Sequence, residues 1–322
     1  KVTVSVLYWK TFRRTFVRAM QFATLKRQDD VTSTAVCSAL KGNAAFKRLS
    51  ENEGNLIIQR DREDDEKLGV GIQLAVKKGV LPADSGVTPV KKISVVGKSA
   101  DDVASELLSS LGPRDEGKGA VIVLQGLSGT GKGTTVGKLS AALPNCVCWS
   151  NGNVFRSVTY LVSEHCEAEK KEFSAAVLTP DLLALTMKRL SFDRFGDDFD
   201  VVIDGKTRVS TICNTLLKTP TISSRVPTVA GQTQGEVVLF AASAVKTLQE
   251  AGRNVILEGR AQTLNYIPSP DRFELVIEDP ALLGQRRAAQ RVMAEALANC
   301  KEEDTDDQVL ANVVAAASKL AP

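Results

Sequence analysis

The chain has 322 residues, 43% hydrophobic and 25% charged, the balance of a globular protein and not of a disordered or low-complexity one. Its formal net charge is only +3, so bulk charge selects neither nucleic acid nor an anionic membrane, and a nucleic-acid role would rest on the amino-terminal charge alone. No apolar run is long enough to form a transmembrane segment.

The amino-terminal stretch 1–28 carries Lys1, Lys10, Arg13, Arg14, Arg18, Lys26 and Arg27 and no acidic residue. Val2, Val4 and Val6 alternate as in a strand, and Trp9, Phe12, Phe16 and Met20 then recur at helical spacing. This basic amphipathic arm packs on its own domain or docks on a partner, for which a protein, an anionic lipid surface or nucleic acid stand open; a retained transit peptide has the same composition. Residues 50–67 (SENEGNLIIQRDREDDEK) are charge-dense and read as a loop or an exposed helix. Pro82, Gly86 and Pro89 mark a loop over 81–91. KKISVVGKS (91–99) predicts a short strand. Ser99 then caps a helix with Asp102 as its capping-box partner, and Val103, Leu107, Leu108 and Leu111 form the buried stripe. Gly112, Pro113 and the polar residues after them end that helix and place a domain boundary near 115. Residues 1–115 are thus expected to form a separate α+β region without a chemical motif.

From 119 onward the pattern changes. AVIVLQ (120–125) is a continuous apolar run, as in a parallel strand buried on both faces. GLSGTGKG (126–133) and a helical stretch follow. NVILE (254–258) and FELVIE (273–278) read as further buried strands, beside helical stretches at 235–251 and 281–298. Strands alternating with helices predict an α/β fold: an open parallel sheet with helices on both faces, over 116–322.

Strand, Gly-rich loop and helix in that order make an anion cradle. Backbone N–H groups converge in the loop, the helix amino terminus adds partial positive charge, and glycines admit close approach. Gly126, Ser128, Gly129, Thr130, Gly131, Lys132, Gly133 and Thr134 are the candidate phosphate-binding residues. The plainer alternative is a Gly-rich turn with no ligand. GxxxxGK is normally followed at once by Ser or Thr; here Gly133 intervenes and Thr134 comes one later.

That GKGT ending resembles the loop of nucleoside monophosphate kinases. Several further stretches are similar to cytidylate kinases, in order, over about 118–292: SNGNVFRSVT with Gly152 and Arg156, DVVIDG (200–205), VPTVAGQTQGE with Thr233 and Gln234, ILEGR with Glu258, Gly259 and Arg260, and the Arg-rich run 267–291. The resemblance implies a P-loop kinase fold with a monophosphate-binding insert at about 178–235, and ATP-dependent phosphoryl transfer to a nucleoside monophosphate. It implies ATP on 126–134, Mg²⁺ held by Thr134 or under Glu258, and the acceptor gripped by Arg156 and Arg260, with Gly152, Thr233, Gln234 and Gly259 beside it. Lys132, Arg156 and Arg260 are the expected catalytic residues. Arg286 and Arg287 either turn toward the donor phosphates or form a solvated basic face with Arg291.

Three stretches depart from the family. Ala261 replaces the Asp after Gly-Arg, Ala242 replaces a base-reading Arg, and the segment NCKEEDTDDQ (299–308) is acidic where the family has an Arg-rich lid. These support an alternative: a catalytically weak or silent kinase fold serving as a structural or nucleotide-sensing subunit. The six cysteines, Cys37, Cys146, Cys148, Cys166, Cys213 and Cys300, show no zinc spacing. They are expected to be reduced and buried, which suits an intracellular setting, the cytoplasm or an organelle matrix. His165 is read as an exposed helix residue and Trp149 as core.

Overall fold

The computed structural model describes residues 20–27, 30–86 and 89–322. Trp9, Phe12, Phe16 and most of the basic arm lie outside the described residues. In chain order the elements are α1 (Phe22–Arg27), α2 (Asp30–Ala39), α3 (Ala44–Lys77), β1 (Lys91–Ser94), α4 (Ala100–Ser109), β2 (Val121–Gly126), α5 (Lys132–Ala142), β3 (Cys146–Trp149), α6 (Gly152–Ala168) and α7 (Pro180–Lys188). Then come β4 (Leu190–Phe195), β5 (Asp198–Ile203), β6 (Thr207–Arg208), α8 (Val209–Ile212), α9 (Pro220–Glu250), β7 (Asn254–Gly259), α10 (Ala261–Leu264), β8 (Asp271–Val276), α11 (Pro280–Leu297) and α12 (Asp306–Leu320). They form two compact units, one of residues 61–276 and one of residues 1–60 with 277–322.

The 61–276 unit is an α/β structure. Five strands in the order β1-β8-β2-β7-β3 form an all-parallel sheet flanked by helices. β2 is buried from Val121 to Gln125, which is why its sequence is continuously apolar and does not alternate. Val121, Val123, Val255 and Leu257 pack with Val238, Ala241, Val245 and Leu248 of α9 in one core. A second core joins α6, α7 and α9 to a small antiparallel sheet, β4-β5-β6, within the expected insert. DVVIDG is the central strand of that sheet and its turn, with Asp204 in the left-handed region at φ 54°.

The expected break near 115 does not separate these residues from the sheet. β1 pairs in parallel with β8, Lys91 opposite Phe273 through Ser94 opposite Val276, so the strand read from KKISVVGKS is an edge of the main sheet. α4 follows with the expected capping box, Ser99 to Asp102, and buries Val103, Ala104 and Leu107. Residues 50–67 lie within the 34-residue helix α3, yet Glu53 and Asp61 on that helix are buried. α9 starts at Pro220, ahead of the helical stretch read from 235; Pro227 lies inside it, and it kinks at Thr233, where φ −122° and ψ 17° leave the helical range. A proline removes one helical N–H, and a Thr hydroxyl bonded back to the fourth preceding carbonyl adds to the bend.

The described residues of the other unit are helical. Leu25, Val36, Leu40, Phe46 and Leu49 pack with Ala288, Val292, Met293, Val309, Val313 and Ala317. Gly54 of α3 and Gly284 of α11 form a close crossing: a Cβ on Gly284 would stand 2.1 Å from the Ser50 carbonyl oxygen. The acidic stretch expected at a lid position is a short turn capped by Thr305 and the first residues of α12, which packs its apolar face on α11. All six cysteines are free, but only Cys166 is buried and Cys148 is exposed, a correction to the expectation of burial. Cys148 alternates with Val147 on strand β3 and so points to the opposite face. Among the described residues no helix is long and apolar enough to cross a membrane.

Candidate functional site

Strand register gathers the expected residues. β2 lies between β7 and β8, with Gln125 opposite Gly259 and Gly126 opposite Leu275. On the far side of β7, Trp149 of β3 is opposite Leu257. The loop 126–131, the Gly259–Arg260 corner and the Ser150–Arg156 segment therefore all leave the carboxyl edge of one parallel sheet. Open α/β sheets bind ligands at that edge.

The loop is built by three glycines with left-handed or otherwise glycine-favouring backbone: Gly126 at φ 146°, Gly129 at 85° and Gly131 at 86°. A Cβ on Gly126 would lie 2.6 Å from the Leu275 carbonyl oxygen, so the strand end admits no side chain there. A Cβ on Gly131 or Gly133 would meet no protein atom within 4 Å, so the side of the loop at the start of α5 is open. Thr130 is buried and its hydroxyl donates to the Leu127 carbonyl at 2.9 Å, bracing the turn from within. Lys132 donates through Nζ to the carbonyls of Gly126 at 2.7 Å and Leu127 at 2.8 Å, folding back across the loop. Burial holds this ammonium below the usual lysine value, Arg260 pushes the same way, and Glu258 and Asp61 oppose. Lys132, Arg260, Glu258 and Asp61 thus share one electrostatic environment.

Asp61 is the residue that sequence reasoning missed. It lies on α3, 2% exposed, and its carboxylate accepts from the Ser128 backbone N–H at 2.7 Å and the Ser128 hydroxyl at 2.6 Å. The same carboxylate accepts from Arg260 Nη2 at 2.5 Å. Burial alone would raise its pKa, but the bonds from Arg260 and Ser128 outweigh burial and hold it below the usual carboxylate range. Asp64 and Asp65 lie 3.8 and 3.7 Å from the same guanidinium. The signal was present in QRDREDDEK: Asp61, Asp64 and Asp65 fall at i, i+3 and i+4, one stripe of a helix.

The remaining expected residues are placed as follows. Arg156, on the second turn of α6, is half-buried and makes no hydrogen bond or ion pair among the described residues; a Cβ on Gly152 would lie 3.0 Å from its Nη1. Thr134 and Glu258 are exposed. Thr233 is fully buried and donates its hydroxyl to the Val229 carbonyl at 2.8 Å, while Gln234 is 7% exposed. A Cβ on Gly71 of α3 would lie 2.6 Å from the Gln234 side chain. Thr233 braces the kink of α9 from a fully buried position, against the expectation of an acceptor contact, and Gln234 packs beside Gly71 of α3. Arg287 and Arg291 belong to the helical unit, where both pair with Glu53. Arg286 lies in the same unit, its charge felt by Cys37. Half-buried His165 lies near the end of α6, and half-buried Trp149 donates to Asn151 Oδ1 at 2.7 Å. Arg272 is fully buried with no carboxylate partner among the described residues; it donates to the carbonyls of Ile267 and Leu264 and to Asn265, tying down the segment after Arg260.

The donor set fits a polyphosphate: an open left-handed glycine loop, a helix amino terminus, one lysine and two arginines. For a metal ion the fit is narrower. Among the described residues no group of three or more His, Cys, Asp or Glu could hold one. Thr134 and Glu258 would suffice only for an ion that takes most of its ligands from phosphate and water, as Mg²⁺ does. No protein-family model matches the chain, and no curated protein matches its sequence.

Proposed function

We propose that the chain is a P-loop kinase-type phosphotransferase that moves a phosphoryl group from ATP to a nucleoside monophosphate. The observation that carries this reading is the meeting of the glycine loop, Lys132, Glu258 and Arg260 at one carboxyl edge of the parallel sheet. The sequence resemblance to cytidylate kinases supports the same reading.

ATP with Mg²⁺, when bound, supplies the phosphoryl group and screens its charge. Gly126 to Thr134 would hold the donor phosphates through backbone N–H groups, with Lys132 leaving its two carbonyls to serve as a point charge. Thr134 and Glu258 would hold the ion. Arg156 and Arg260 would grip the acceptor's phosphate with planar, two-pronged guanidinium groups and orient its oxygen for attack. No side chain has to act as a nucleophile; alignment and charge neutralisation do the work. An ATP-to-ADP coupled assay tests this with CMP, UMP, dCMP, AMP and GMP offered in turn. Turnover with at least one monophosphate, abolished in Lys132→Ala, is expected. No turnover with any of them contradicts the reading.

A second reading is favoured by one observation, the engagement of Ser128 and Arg260 by Asp61. In it the chain is a silent kinase fold, a structural or nucleotide-sensing subunit of an assembly. It predicts ATP binding without turnover, and retention of the chain in a complex through residues 1–28.

A further inference from the structure

We infer that the acidic turn of α3 at Asp61 is a built-in competitor for the phosphate site, so that docking of this turn and binding of a nucleotide's phosphates exclude one another. The inference rests on the reading of 126–134 as a phosphate loop and names the regulation of that same site.

The Asp61 carboxylate occupies the place of an anion. It takes the Ser128 backbone N–H, one of the loop donors a phosphate would use, and the Ser128 hydroxyl beside it. It also takes Arg260, the cation expected to grip the acceptor. A planar carboxylate with two oxygens on three donors satisfies those donors as a phosphate would. Charge points the same way. Asp61, Asp64 and Asp65 face the single guanidinium of Arg260, at 2.5, 3.8 and 3.7 Å. With the turn in place the corner carries excess negative charge and repels a triphosphate; with it withdrawn, Lys132 and Arg260 make the corner positive. Asp61 is at the same time nearly sealed from water, so its contacts are a formed site and not a solvated surface pair. A site whose competent state is populated only in part binds its ligand more weakly by that fraction.

The test is calorimetric titration of ATP with Mg²⁺ into the full chain, compared with Asp61→Asn and Asp61→Ala, with thermal unfolding of each unliganded protein alongside. The expected result is affinity roughly tenfold tighter in both variants, with an unliganded melting temperature that falls. If the carboxylate had only a structural role, its loss would lower both stability and affinity, and that outcome overturns the inference. Equal affinity in all three proteins also overturns it while leaving the phosphate loop intact. Absence of ATP binding in all three overturns the reading of the loop, and the inference with it. If Asp61→Ala fails to fold, Asp61→Asn, which keeps the shape and one acceptor, carries the comparison.

Discussion

Gly126 concentrates the steric demands of the loop in one residue. Its φ of 146° and a Cβ position 2.6 Å from a strand carbonyl leave no room for any other amino acid. Gly126→Ala is expected to cost about 1–3 kcal/mol of stability, and ATP should no longer raise its melting temperature in a thermal shift series. Asp61 gives a pH signature. An unfolded Asp titrates near 3.9, and in the fold the bonds from Arg260 and Ser128 outweigh burial and lower that value. Its contribution is therefore complete above the unfolded value and is lost as pH falls through the lower folded one. The melting-temperature gap between wild type and Asp61→Asn should stay constant from about pH 8 to 5 and close below about pH 4. Among the thiols, burial pushes Cys37 up to about 11 against the pull of Arg286, while Cys148 is exposed. Iodoacetamide at neutral pH should label Cys148 well before Cys37, read by peptide mass mapping; equal rates would contradict the placement. The glycines and Lys132 were legible in the sequence because a phosphate loop is a local motif. For Asp61 only the acidic helix stripe was legible; its role was not, because its partners Ser128 and Arg260 stand 67 and 199 residues away.

At the scale of elements, what could be read depended on how local the cause was. The strands β2 and β7 announced themselves through unbroken apolar runs, and α4 through the Ser99–Asp102 box, whereas β8, read from FELVIE, begins earlier, at Asp271 and the buried Arg272. The place of β1 depends on its ladder with β8, about 180 residues later, which no local pattern reveals. Thr233 was misplaced for the same reason: the kink that uses its hydroxyl belongs to a 31-residue helix beginning at Pro220. The close crossing of α3 and α11 at Gly54 and Gly284 was likewise invisible before the helices met. Gly284→Ala forces a Cβ onto the Ser50 carbonyl and should destabilise the helical unit by about 1–3 kcal/mol in chemical denaturation. A neutral result would mean that the two helices do not cross at those glycines.

For the molecule as a whole, the alternation of strands and helices after residue 119 forecast an α/β protein, and the larger unit is one, with its five parallel strands flanked by helices. The division into units 61–276 and 1–60 with 277–322 was hidden because the helical unit is assembled from both ends of the chain. The loop, Lys132 and Arg260, together with the carboxylate that engages them, all belong to the 61–276 unit. The central claim is that this corner binds the phosphates of ATP. Its most direct test is a titration of a fluorescent ATP analogue into wild type and Lys132→Ala. Saturable binding displaced by ATP and lost in the variant is the expected result; no saturable binding, or binding unchanged in Lys132→Ala, would contradict it.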